Sequence, residues 1–142
     1  KGISKSVKAP NNDGIINQIL DQMKVVNEGL IFANLVDFDS KFGHRRDVSG
    51  YANAIEEFDK RLPEILKLTG DNDLLLITAD HGCDPTWKGT DHTREHVPAL
   101  FYSKKVSSKN LGFLTTFADM GATISNHLKT PALKKGVVCN LW

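Results

Sequence analysis

Residues 73–82 read DLLLITADHG, a short apolar run that stops at an aspartate, a histidine and a glycine. An uncharged run of this length is expected to be a strand buried on both faces, with Asp80 and His81 falling just past its C-terminal end. Gly82 then permits a tight turn with close backbone approach. Residues 30–36, LIFANLV, repeat the pattern between Gly29 and Asp37, and residues 97–102, VPALFY, supply a third expected strand. Helical periods separate these runs. Residues 13–28 space Ile15, Ile16, Ile19, Leu20 and Met23 along one face, with Asn12 or Asp13 as N-cap and Gly29 at the end. Residues 49–68 do the same with Ala52, Ile55, Phe58, Leu62, Ile65 and Leu66, although Pro63 should kink or break that helix near Leu62. A last helix is expected over 114–128, with Phe117, Met120, Ile124 and Leu128 on one face. This alternation predicts an α/β fold, a mainly parallel sheet flanked by helices. Ligands of such sheets bind outside the carboxyl ends of the strands, so Asp37, Asp39, Asp80 and His81 are expected along one rim.

A length of 142 residues suits one domain, and 40% hydrophobic with 25% charged residues describes an ordinary globular chain. Eighteen basic and seventeen acidic side chains leave a net charge of +1, which argues against nucleic acid and anionic membrane surfaces as partners. Any phosphate must therefore be recognised locally. No apolar run approaches the roughly 20 residues that span a bilayer. Cys83 and Cys139 form no C-x-x-C pair, so a zinc ribbon or a dithiol redox motif is not expected; two free thiols in a reducing compartment are. The chain opens on Lys1 and KGISKSVKAPNN, which suggests residues upstream.

Three polar stretches hold the candidate ligands: Asp39 and His44 in DFDSKFGHRRD, Asp80 and His81 in ITADHGCDP, and His92 in GTDHTREH. Imidazole mixed with carboxylate suits borderline divalent ions such as manganese or zinc, whereas magnesium and calcium favour oxygen alone. Together they suggest half of a two-metal phosphoryl-transfer centre. Asp37 and Asp47 are expected to cap turns, and Asp91 to orient an imidazole. Arg45, Arg46 and Arg94 flank the ligands and either meet phosphate oxygens or neutralise Asp47 and Glu95. His96 is expected at the surface or beside the ligands, and His127 at a helix C-terminus.

The long ungapped stretches NLVDFDSKFGHRRDVSGYANAIEEFDKRLPE, ITADHGCDPTWKGTDHTREHVPALFYS and TFADMGATI resemble the C-terminal half of the phosphopentomutases, in the alkaline phosphatase superfamily. The likeness is dense from about residue 30 to 124 and weaker at both ends; the closing ALKKGVVCNLW departs from the usual pattern. The resemblance implies two Mn2+ ions per complete protein, one held by Asp39, His44 and His92, the other by Asp80 and His81 with ligands absent from this chain. It implies interconversion of (deoxy)ribose 1-phosphate and 5-phosphate through an upstream phosphothreonine, with a sugar bisphosphate as activator. It also implies that residues 1–142 are the C-terminal part of a cytoplasmic enzyme's catalytic core, with the cap domain and N-terminal core segment absent. No threonine here matches the nucleophile motif, so this chain alone is expected to be inactive. The cofactor-independent phosphoglycerate mutases show a similar layout, but their first carboxylate and histidine are four apart, whereas Asp39 and His44 are five apart. A non-catalytic metal-binding fragment is the remaining alternative.

Overall fold

The computed structural model describes residues 2–142, in two compact units. One comprises the residues up to Leu68 together with Asp80–Val97; the other comprises Thr69–Ala79 and Pro98–Trp142.

In the first unit, helix α1 spans Asn12–Met23 and helix α2 spans Val48–Leu68. The Asn11 side chain caps α1 by accepting the Gly14 amide at 2.8 Å. Helix α1 buries Ile16 and Leu20, four residues apart, and α2 buries Ala54 and Ile65, so each presents an apolar stripe to the other. At the edge of this contact, the Arg61 guanidinium of α2 pairs with Asp13 and Asn17 of α1 and with Glu64. Helix α1 ends well before residue 28. The amides of Val25 and Val26 both turn back to the Gln22 carbonyl, and β-branched residues do little to prolong a helix.

Pro63 does not break α2, contrary to expectation. Pro63 and Asp59, whose carbonyl loses its amide partner to the proline, both lie on the exposed face. Exposure leaves that carbonyl open to solvent, while buried Ile65 holds the following turn against the unit.

Between α1 and α2, residues 30–35 form no regular secondary structure and pair with no strand among the described residues, so the expected first strand is not formed. Leu30, Phe32 and Val36 are exposed instead of buried. An apolar run becomes a strand only when a neighbour completes its ladder. After it comes a π-helical segment, Phe38–Gly43, which packs on α2 through an edge-to-face contact of Phe38 with Tyr51 at 5.8 Å.

In the second unit, strands β1 (Leu75–Thr78) and β2 (Ala99–Tyr102) form a two-stranded sheet. Their register runs from Leu75 opposite Tyr102 to Thr78 opposite Ala99, and the pairing is antiparallel. Parallel pairing of consecutive strands needs a crossover, usually a helix, and the chain from 79 to 98 contains none. The expected parallel arrangement is thus replaced by a hairpin-like return. Helix α3, Phe117–His127, is capped by Thr116 and followed by a tail that docks along it. The Val137 amide donates to buried Asp119 Oδ1 at 2.8 Å. The Cys139 amide donates to Thr123 Oγ1 at 2.9 Å, and that hydroxyl donates to the Asp119 carbonyl at 2.7 Å. Cys139 and Leu141 of the tail are buried, as are Met120 and Ala122 of α3. Among the described residues, no helix is long and apolar enough to cross a membrane.

Candidate metal centre

The centre lies within the first unit and begins with a register anchor. The Asn12 amide donates to Asp37 Oδ2 at 2.9 Å, and the Asp37 amide donates to Asn12 Oδ1 at 3.0 Å. Lys41 lies 3.2 Å from the other Asp37 oxygen. This buried carboxylate ties the start of the polar segment to the first residue of α1, consistent with a structural role and not a ligand one. Asp47 caps the start of α2 by accepting the Gly50 amide at 2.9 Å.

The π-helical turn explains the five-residue interval between Asp39 and His44. Its widened ring closes when the His44 amide donates to the Asp39 carbonyl at 3.0 Å, and the next such bond joins the Asp47 amide to the Phe42 carbonyl. Residues five apart then stand on one side, leaving Asp39 Oδ1 3.4 Å from His44 Nε2. In an α-helix the same pair would diverge around the axis.

The other ligands arrive through Gly82. Gly82 forms an antiparallel bridge to Thr93, and a Cβ added there would stand 2.5 Å from the Glu95 amide nitrogen. Only glycine allows that approach, which brings His81 and His92 together with ring centroids 3.8 Å apart in a stacked pair. Thr93 reinforces the bridge by accepting the Asp84 amide at 2.6 Å and donating to Glu95 at 2.5 Å. Cys83 packs behind the turn, where the Tyr51 hydroxyl bonds its sulfur; burial pushes both groups' pKa values up, and nearby Asp39 adds to this.

Asp39 Oδ1 is the focus of the cluster. It lies 3.4 Å from His44 Nε2, 3.4 Å from His92 Nε2 and 3.8 Å from His81 Nε2. It is buried and has no hydrogen-bond partner among the described residues. His44 Nδ1 faces the Thr90 carbonyl at 2.5 Å, and His81 Nδ1 faces the Gly82 carbonyl at 3.0 Å. A neutral imidazole donates from Nδ1 in such a contact and turns its Nε2 lone pair toward Asp39. Lone pairs then converge on an unsatisfied carboxylate oxygen, an arrangement that is unfavourable until a cation sits among them. Bonds of ~2.1 Å to a shared ion would separate its ligand atoms by ~3–4 Å, so the donor set fits a borderline divalent metal.

The ligand atoms of Asp39, His81 and His92 all lie within 4.8 Å of one another, so the two ligand groups expected from the sequence meet at Asp39. Asp80 stands at the rim, its side chain 81% exposed and its Oδ1 3.7 Å from His81 Nε2. Arg45 and Arg94 are exposed, whereas the half-buried Arg46 directs its guanidinium to backbone carbonyls. Asp91 takes part through its carbonyl, which accepts from Arg46; the expected task of orienting imidazoles falls to the carbonyls of Thr90 and Gly82. Sequence reasoning missed the π-helical turn and the Gly82–Thr93 bridge. The five-residue interval and the glycine after His81 were the available signals.

Known proteins are similar to this chain over most of its length. The chain is 51% identical over 136 residues to the phosphopentomutase of Actinobacillus succinogenes, covering 95% of this chain and 34% of that protein. It is 52% identical to that of Vibrio cholerae serotype O1, with the same coverage. It is 52% identical to that of Serratia proteamaculans, again over 95% of this chain but 33% of the relative. The chain therefore spans about a third of the length of the curated relatives it matches. The family model described as the Metalloenzyme superfamily matches residues 1–132, and with a ligand cluster of this composition inside that span, the chain belongs to the Metalloenzyme superfamily.

Proposed function

We propose that this chain is the metal-binding third of a phosphopentomutase, acting on ribose and deoxyribose phosphates in the cytoplasm. The observation that carries the metal part is the buried, unpartnered Asp39 Oδ1 ringed by three imidazole nitrogens. The substrate class rests on the similarity to the three relatives.

Asp39, His44 and His92 would hold one Mn2+, and Asp80 and His81 would begin the site of a second. When bound, such ions supply electrophilic stabilisation of a transferring phosphoryl group and lower the pKa of a hydroxyl nucleophile. The chain's own residues orient that site. The Thr90 and Gly82 carbonyls face Nδ1 of His44 and His81, which fixes both rings with Nε2 aimed at Asp39. Exposed Arg45 and Arg94 remain free to meet phosphate oxygens of a pentose phosphate or of a bisphosphate activator. The phosphorylated threonine would come from the rest of the polypeptide, as would the remaining ligands of the second ion.

The test is a chimera joining this chain to the N-terminal two thirds of the Vibrio cholerae relative. Mn2+-dependent conversion of ribose 1-phosphate to ribose 5-phosphate is expected from the chimera, with loss in His81→Ala and no turnover by the 142-residue chain alone. Turnover by the chain alone, or a chimera indifferent to His81→Ala, contradicts the proposal.

A further inference from the structure

We propose that Arg46 is a positioning residue, whose guanidinium clamps the loop leading to His92 onto the turn that carries Asp39 and His44. The inference rests on the metal centre proposed above and adds a device that sets its ligand spacing before any cation binds.

Arg46 adopts φ +53, a left-handed conformation that is uncommon and costly for a residue with a side chain. That backbone is held at both ends: the Arg46 amide donates to the Gly43 carbonyl at 3.1 Å, and its own carbonyl accepts from Val48 at 3.1 Å. The side chain reaches 38 to 45 residues along the sequence. Nε donates to the Gly89 carbonyl at 2.5 Å, one terminal nitrogen to the Asp84 carbonyl at 3.0 Å, and the other to the Asp91 carbonyl at 2.5 Å. A weaker contact of 3.4 Å returns to the Gly43 carbonyl.

The pattern on the receiving side is more telling. The carbonyls of Gly89, Thr90 and Asp91 are consecutive, and all three are held from the same turn: the outer two by Arg46, the middle one by His44 Nδ1. His92 follows immediately. Residues 84–91, DPTWKGTD, contain no helix or strand, so their carbonyls have no ladder of their own. A planar fork with fixed N–H directions can tie several carbonyls at once, which a lysine ammonium cannot reproduce. With its donors so engaged, Arg46 acts on the backbone and is not a phosphate contact.

Charge and clamping predict opposite signs. A guanidinium near a cation site repels the cation, so removing it should tighten metal binding if charge alone mattered. If Arg46 positions His92, removing it should weaken binding, by about 10- to 100-fold as for other residues that orient metal ligands.

The experiment titrates the metal-free 142-residue chain with Mn2+ by calorimetry, comparing wild type, Arg46→Met, Arg46→Lys, Lys60→Met and Asp39→Asn. Tryptic cleavage after Lys88 is followed in parallel. Both Arg46 variants are expected to lose affinity by about 10- to 100-fold and to be cut faster at Lys88, with Lys60→Met unchanged. Should Arg46→Met not fold, Arg46→Lys, which keeps the charge and the stem, decides. Wild-type affinity in Arg46→Lys, alongside loss in Asp39→Asn, overturns the clamp and leaves the metal centre standing. Failure of wild type to bind Mn2+ overturns both.

Discussion

At the scale of single residues, Gly82 and Asp39 divide the work of the site. A Cβ at Gly82 would stand 2.5 Å from the Glu95 amide nitrogen, at the close approach that lets His81 stack on His92, so Gly82→Ala must push the two segments apart. We expect it to destabilise the chain by about 1–3 kcal/mol in urea unfolding and to reduce Mn2+ affinity in parallel. Asp39→Asn keeps the shape but removes the charge on which three imidazoles converge, so it should abolish tight Mn2+ binding with little change in folding. Asp39, His44, His81 and His92, which the structure gathers, were legible as candidates from residue type and from the motifs around them. Their grouping about one carboxylate oxygen was not, because spacing along the chain does not report which rings stack across a bridge. Arg46 was legible as a cation beside the ligands, but nothing in HRRD distinguishes an arginine aimed at backbone carbonyls from one aimed at phosphate.

Elements follow the sequence where a local rule acts alone and depart from it where partners decide. Helix α3 begins at its Thr116 cap, and α2 covers the range that its apolar period marks. Pro63 shows the limit: a proline's missing donor matters less when the orphaned carbonyl faces water. Replacing it should therefore help. Pro63→Ala is expected to raise stability by up to ~3 kcal/mol in thermal or urea unfolding, since proline in a helix interior is that much less favourable than alanine. The tail along α3 makes the opposite case. Gly136 has φ +94, and an added Cβ would stand 2.0 Å from the Ala118 carbonyl oxygen. Gly136→Ala should undock residues 137–141 and expose the Asp119 carboxylate that now holds the Val137 amide, which amide hydrogen exchange at Val137 and Cys139 would register as lost protection.

For the molecule as a whole, the composition and the α/β alternation pointed to the right mixture of elements but to the wrong sheet. The run LIFANLV reads as a buried strand and instead pairs with nothing among the described residues, with Phe32 85% exposed. Strand pairing is a property of neighbours, and a chain spanning about a third of its relatives carries apolar sequence whose partners its own pattern does not identify. The return from β1 to β2 was foreseeable, because GCDPTWKGTDHT lacks the helical period that a parallel crossover requires. What does not depend on the sheet is the ligand cluster, assembled within one unit by a π-helical turn and a glycine bridge. Mn2+ calorimetry on the metal-free 142-residue chain and its Asp39→Asn variant tests that cluster most directly. Saturable binding that disappears in Asp39→Asn is the predicted result; equal binding by both proteins, or by neither, would contradict a metal centre built on Asp39.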